Sequence, residues 1–253
     1  MKPVPQFHDA ADGVRLAFYT LGDPGARPLL LIHGYMSDAW TNWMKFAPTA
    51  STIADAGYHV IMPDLRAHGA SAKPHDPAAY PRDVLADDMF ALVAHLDLTD
   101  FDLAGYSLGG RTVARMLARG CRPGRAIIAG MGLAGVTDVG PRTALFRHAL
   151  THLGQHARGS PAFMVEAFLK TSGGDPVALD MLQDSYCDTA QDALAAIDTP
   201  VAVICGADDR DNGSAGDLAA RLRYGTYVEI PGNHMNAITR PAFGAAIAAY
   251  LRG

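Results

Sequence analysis

Ser107 sits at the centre of the pentapeptide Gly105-Tyr106-Ser107-Leu108-Gly109, with Gly110 directly behind it. The apolar run Phe101-Asp102-Leu103-Ala104 precedes it, and a helix-like segment, Arg111 to Arg119, follows. A serine on so sharp a bend between strand and helix needs unusual backbone angles. Glycines on both sides keep side chains from striking the strand or the helix. The hydroxyl is then thrust out at the carboxyl edge of a sheet, above a helix N-terminus that favours developing negative charge. A hydroxyl is a weak nucleophile at neutral pH. It needs a base within hydrogen-bond reach and a carboxylate to hold and charge-balance that base.

The chain offers both at the ends of later apolar runs. Val201 to Cys205 leads into Gly206-Ala207-Asp208-Asp209, and Tyr227 to Ile230 leads into Pro231-Gly232-Asn233-His234. The order serine, aspartate, histidine is the one expected around a strand–turn–helix nucleophile. Ser107 is the predicted nucleophile and His234 the predicted general base. The acid is less sharply marked, because Asp208, Asp209 and Asp211 crowd together and Asp138 offers a more distant alternative. A tetrahedral oxyanion requires backbone donors, and the N–H of Leu108, directly after the nucleophile, is one of them.

These residues need a scaffold, and the hydrophobic pattern supplies it. Phe7 to Tyr19 reads as a hairpin with a two-residue Asp12-Gly13 turn. Short unalternating apolar runs follow at Leu29–Ile32, Val60–Met62, Phe101–Ala104, Ala126–Ile128, Val201–Ile204 and Tyr227–Ile230. Runs of this kind suit strands covered on both faces, as in a parallel sheet. Helix-like stretches lie between several of them, at Trp43–Ala56, Pro81–Leu96, Arg111–Arg119, Gly216–Leu222 and Pro241–Leu251. The alternation predicts an α/β fold with a doubly wound sheet and ligands at its carboxyl edge. Residues 136–196 break the rhythm. They contain no convincing strand, and Arg142–His156, Pro161–Lys170 and Pro176–Tyr186 read as helices. The division expected is a core of 1–135 and 197–253 with a helical lid or cap of 136–196.

Taken together, the motifs resemble the α/β-hydrolase superfamily, of the compact bacterial serine esterase and carbon–carbon hydrolase type. The matching pieces are His33-Gly34-Tyr35-Met36, Asp64-Leu65-Arg66-Ala67-His68-Gly69-Ala70-Ser71, the Ser107 pentapeptide, Gly206 to Asp209, and Gly232-Asn233-His234. The resemblance implies a mostly parallel sheet of about eight strands with a small helical lid inserted. It implies Asp209 as the acid, three residues after Gly206. It also implies Tyr35 as the second oxyanion donor, through main chain alone. Tyr35 and Tyr106 are expected to line the substrate pocket. Arg66 and His68 fall in a stretch that braces the sheet edge in relatives, where Ala67 replaces a frequent glycine.

The activity implied is hydrolysis of small carboxylic esters, thioesters or lactones through an acyl-enzyme, with no cofactor and no metal. Two other enzymes would use the same three residues: a carbon–carbon bond hydrolase of diketone-like ring-fission products, and a perhydrolase with haloperoxidase activity. Dehalogenases and epoxide hydrolases of this fold need an aspartate nucleophile, which Ser107 argues against. A reading of another class is a small-ligand signalling receptor with an intact triad and little turnover.

Bulk properties narrow the partners. A formal charge of -5 disfavours nucleic acid. Cys121, Cys187 and Cys205 are too few and too scattered for a disulfide framework and are expected reduced, in or near the core. Met1 to Gln6 has no apolar stretch of signal-peptide length, and no run is long enough to span a bilayer, so a cytoplasmic protein without membrane attachment is expected. His148, His152 and His156 recur every four residues, off the Leu145–Leu153 apolar stripe, and are expected as a solvated helix flank rather than a metal site. Nothing in the chain fixes an oligomeric state.

Overall fold

The computed structural model describes residues 3–253; Met1 and Lys2, where the leader reading begins, lie outside the described residues. Eight strands form one sheet: β1 (Gln6–Asp9), β2 (Arg15–Leu21), β3 (Arg27–Ile32), β4 (Tyr58–Pro63), β5 (Asp102–Tyr106), β6 (Ala126–Ala129), β7 (Val201–Gly206) and β8 (Gly225–Ile230). The spatial order is β1-β2-β4-β3-β5-β6-β7-β8. β2 runs antiparallel to β1 and β4, and every pairing from β4 through β3 to β8 is parallel.

The unalternating runs are explained by burial on both faces. Leu30 and Ile32 of β3 pack into one cluster, while Leu29 and Leu31 pack into the other. Each of these four side chains is 0% exposed, and burial of one such group contributes about 2 kcal/mol. Helices cover the two faces: α1 (Thr49–Asp55) and α10 (Pro241–Arg252) on one, α2 (Val84–His95), α3 (Leu108–Ala118) and α9 (Ala215–Arg221) on the other.

Between β6 and β7 the described residues contain no strand. The segment holds α4 (Leu133–Thr137), α5 (Gly140–Thr151), α6 (Pro161–Ser172), α7 (Pro176–Leu182) and α8 (Gln191–Ala195). Ser160 and Asp175 cap α6 and α7 through their side chains, each followed by a proline at the first helical position.

Several local expectations change. The β1–β2 turn has three loop residues, with Ala10 N donating to Val14 O and Gly13 at φ 80. The predicted Trp43–Ala56 helix is split: a π-helical turn covers Thr41–Lys45, and Pro48, which cannot donate, stands before α1. The helix predicted from Pro81 begins only at Val84, after Asp83 in the left-handed region at φ 66. Asp102, inside a predicted apolar run, is 1% exposed but well paired. It accepts from Arg27 Nε at 2.8 Å, Arg125 N at 2.7 Å and Tyr58 Oη at 3.2 Å. The three cysteines are buried and free.

At the β4 edge, buried Arg66 joins three elements. It donates to both carboxylate oxygens of Asp88 on α2, to Asp12 in the hairpin turn, and to the Ala79 carbonyl. Ala67 keeps the left-handed turn without a glycine, at φ 68.

Candidate active site

Ser107 leaves β5 and caps α3 with φ 54 and ψ -116, a strained region for a residue with a side chain. The surrounding backbone fixes this bend. A Cβ on Gly105 would overlap the Gly109 carbonyl, and one on Gly109 would overlap the Ile32 carbonyl of β3. The chain must therefore be bare at both places for α3 to press against the sheet. Ser107 N donates to Ala129 O at 2.8 Å, which ties the bend to β6.

His234 arrives on the loop after β8, and Asp209 on the loop after β7. His234 Nε2 lies 3.0 Å from Ser107 Oγ. Its Nδ1 lies 2.9 Å from Asp209 Oδ2. The side chains are 7% and 2% exposed respectively, so this hydrogen-bonded chain is shielded from water. The crowd of carboxylates is thereby separated. Asp208 and Asp138 are exposed, and Asp211 pairs with Arg142 Nη2 at 3.2 Å. Asp211 contributes its N–H to Asp209 Oδ1 at 3.1 Å. Burial alone would raise the Asp209 carboxyl, but the bonds from His234 and from the Asp211 N–H outweigh it and hold the group below its ordinary range.

A family profile of the alpha/beta hydrolase fold matches residues 27–134. The thermophilic esterase of Thermogutta terrifontis superposes with a TM-score of 0.79 over 99% of this chain and 98% of its own, at 22% identity. The enol-lactonase of Burkholderia xenovorans LB400 superposes with a TM-score of 0.77 over 98% of this chain and 100% of its own, at 21% identity. The chain has the α/β-hydrolase fold. In sequence, a non-heme chloroperoxidase of Kitasatospora aureofaciens is 37% identical over 110 residues, 43% of this chain and 36% of that one. Among the curated relatives it matches, the chain spans between 24% and 39% of their length.

Within this fold, a cavity of about 280 Å³ opens on Ser107 and His234, and Tyr35, Phe46, Tyr106, Phe168 and Met235 are among its walls. Phe168 comes from α6, so the helical segment after β6 forms part of the wall. Leu108 opens α3, and its N–H, like every first-turn donor, has no carbonyl behind it in the helix. Tyr35 follows Gly34, whose N–H is held by Asn42 Oδ1 at 2.7 Å. A Cβ built on Gly34 would lie 3.4 Å from the Ser107 Cβ, which sets this loop directly against the serine.

The two tyrosines are placed in more detail than the motifs foretold. Tyr106 donates its hydroxyl to the His234 carbonyl, with its ring 5.4 Å from the imidazole, so it fixes the loop that carries His234. Tyr35 donates its hydroxyl to Leu179 O of α7 and packs edge-on against Phe146 at 5.0 Å.

His33 and His68 sit behind Tyr35. His33 is placed to donate Nδ1–H to the Gly34 carbonyl at 2.8 Å, while its Nε2 accepts from Leu65 N at 3.0 Å. His68 makes the reciprocal tie, from Nδ1 to Arg66 O and from Met36 N to Nε2 at 3.1 Å. Burial lowers both imidazoles below their ordinary range, which keeps them neutral.

Ligating atoms of Asp209, Asp211 and His234 lie within 4.8 Å of one another. Two of these side chains already bond each other, and the third pairs with Arg142. The trio His148, His152 and His156 departs from a simple solvated flank. α5 ends at Thr151, and the His156 side chain is 3% exposed, bonding Ala149 O at 3.0 Å and facing Glu166 at 3.8 Å. His148 and His152 are exposed.

Proposed function

We propose that the chain is a serine hydrolase of small carboxylic esters, thioesters or lactones, working through an acyl-enzyme. The observation that carries this reading is the unbroken contact from Asp209 through His234 to Ser107 at the wall of an apolar cavity. His234 takes the Ser107 proton as Oγ attacks the acyl carbon. Asp209 holds the imidazolium in place. The N–H groups of Leu108 and Tyr35 receive the oxyanion, each such donor being worth about 3 kcal/mol at the transition state. The alcohol leaves with the proton from His234. Water, deprotonated by the same imidazole, then attacks the acyl-enzyme and releases the acid. A cavity near 280 Å³ suits short or medium acyl groups, and residues 136–196 act as the lid above it.

The partial likeness to a non-heme chloroperoxidase favours a second use of the same machinery. Hydrogen peroxide in place of water would attack the acyl-enzyme and release a peracid, with the serine regenerated. The remaining chemistry is unchanged.

Rapid-mixing kinetics with p-nitrophenyl butyrate test the first reading. A burst of p-nitrophenolate stoichiometric with protein is expected, and the S107A variant should lose it with nearly all turnover. Unchanged hydrolysis by S107A overturns the assignment. Peracid formation in added peroxide, followed by bromide oxidation, tests the second. Among the described residues no helix is long and apolar enough to cross a membrane.

A further inference from the structure

Arg111 stands four positions beyond Ser107 on α3, hence on the same helix face, with its side chain leaning toward the helix N-terminus. It is 7% exposed. Its Nε donates to the Gly135 carbonyl at 2.9 Å, and its guanidinium carbon lies 5.3 Å from the Tyr186 ring centroid. Among the described residues no carboxylate pairs with it, whereas Arg27, Arg66, Arg115, Arg119, Arg142, Arg147 and Arg223 all form ion pairs. Asp188, an acid whose charge reaches it, spends a carboxylate oxygen on Val139 N at 2.9 Å instead. A buried cation without a counter-ion is costly, because desolvation is not offset by a partner. The Tyr186 hydroxyl beside it is also buried and, among the described residues, has no hydrogen-bond partner.

Both side chains line a narrow cleft whose walls include Tyr35, Ser107, Leu108 and Arg142. Tyr35 and Ser107 belong to this cleft and to the larger cavity alike. We propose that the cleft is an anion subsite, in which Arg111, assisted by the Tyr186 hydroxyl, binds a carboxylate carried on the acyl chain of the substrate. This rests on the hydrolase reading above and narrows its substrate class to half-esters or lactones with a second, anionic end. One helical turn, about 5.4 Å along the axis, separates the serine from the arginine, a span that a succinyl or glutaryl chain can cover. The cleft holds about 20 Å³, room for one water, so binding a carboxylate there requires the Phe146 side chain at its wall to shift. Arg142 adds positive charge at the wall while it stays paired with Asp211.

The test compares monoethyl glutarate with ethyl pentanoate, esters of equal acyl length, by acid release. The wild type is expected to favour the anionic ester at least tenfold in kcat/KM. The R111M variant should lower that preference by about 10- to 100-fold, the worth of a charged hydrogen-bonded contact. A merely structural arginine would lower both esters alike and leave the ratio standing, which overturns the proposal. If R111M does not fold, R111K carries the same test, since it keeps charge but loses the planar fork. Titration calorimetry of glutarate and of uncharged glutaramide into wild type and S107A separates the two readings. Glutarate binding without turnover of either ester leaves the subsite standing and removes the hydrolase reading. Hydrolysis of the neutral ester with neither preference nor glutarate binding does the reverse.

Discussion

Tyr35 and Leu179 are joined across the gap between the sheet edge and the helical segment after β6. The phenol hydroxyl donates to the Leu179 carbonyl at 2.8 Å, although 144 positions separate them. Burial raises this phenol well above its ordinary range, so it remains a donor at every physiological pH. The loop whose Tyr35 N–H is proposed as an oxyanion donor therefore also anchors α7. Replacing Tyr35 with Phe keeps the main chain and the ring but removes the tether. Stability should fall by about 1 kcal/mol in denaturant unfolding, and amide exchange across Pro176–Leu182 should quicken more than in β5. Unaltered exchange in α7 would show that the tether does not hold this helical segment.

The crowding of acids after β7 gives a second test. Asp209 Oδ2 faces His234 Nδ1 at 2.9 Å, while Asp208 points to solvent. Asp209→Asn preserves shape but loses the charge that balances the imidazolium, and places an amide against Nδ1. We expect kcat to fall by about 10³- to 10⁴-fold, and Asp208→Asn to change it by less than about threefold. Steady-state rates on one ester decide between them, and the opposite pattern would move the acid role to Asp208.

Two buried imidazoles set the response to acid. His33 and His68 knit the loops after β3 and β4 by accepting N–H groups from each other's loop, which only neutral rings can do. Burial depresses both, with His33 further lowering His68 and Asp64 opposing the shift at His33. His8 on β1 is depressed by the same cause, and the nearby His95 adds to it. A histidine whose folded pKa lies below its unfolded value, about 6.5, stabilises the fold above that value and ceases to as pH falls. Unfolding free energy should be nearly flat from pH 8 to 7 and drop by more than about 1 kcal/mol between pH 6.5 and 5. The variant H68Q should show a shallower drop in the same denaturant titrations. An equal drop in H68Q would assign the acid sensitivity elsewhere.

The sheet was legible because two-sided burial leaves runs such as Leu29–Ile32 with no polar face. That Ser107, His234 and Asp209 would meet at one sheet edge was legible because each follows such a run. What the pattern could not supply is contact. Asp208 and Asp209 are neighbours of one type, and only the turn geometry, with Asp209 N bonded to Gly206 O, decides which turns inward. α4 and α8 have five residues each, too few for a helical period to emerge. Pro48 splits a segment whose apolar spacing alone reads as one helix. Arg111 is not marked by the pattern, because a single arginine on a helix ordinarily reaches solvent. Its one sequence signal was the four-residue spacing from Ser107. His156 is buried by α6 through Glu166, a contact between helices that periodicity within α5 does not encode.

Two glycine substitutions, opposite in sign, test whether close packing of α3 against β3 dictates the serine bend. On Gly109 a Cβ would overlap the Ile32 backbone carbonyl, and neither helix nor strand can yield without dragging the Leu108 N–H and Ser107 with it. Gly109→Ala should therefore cost more than about 3 kcal/mol or prevent folding, as backbone overlap in a packed core does. Gly216 lies in the first turn of α9, and its nearest neighbour to a new Cβ is Ser214 Oγ at 3.8 Å, ordinary contact. There alanine meets no obstacle and lowers the entropy lost on folding, so Gly216→Ala should raise stability by about 0.5–1 kcal/mol. Chemical denaturation of both variants under one condition reads the two signs directly. A Gly109→Ala protein as stable as wild type would mean that α3 can lift from β3, and that the strained serine conformation does not depend on this contact.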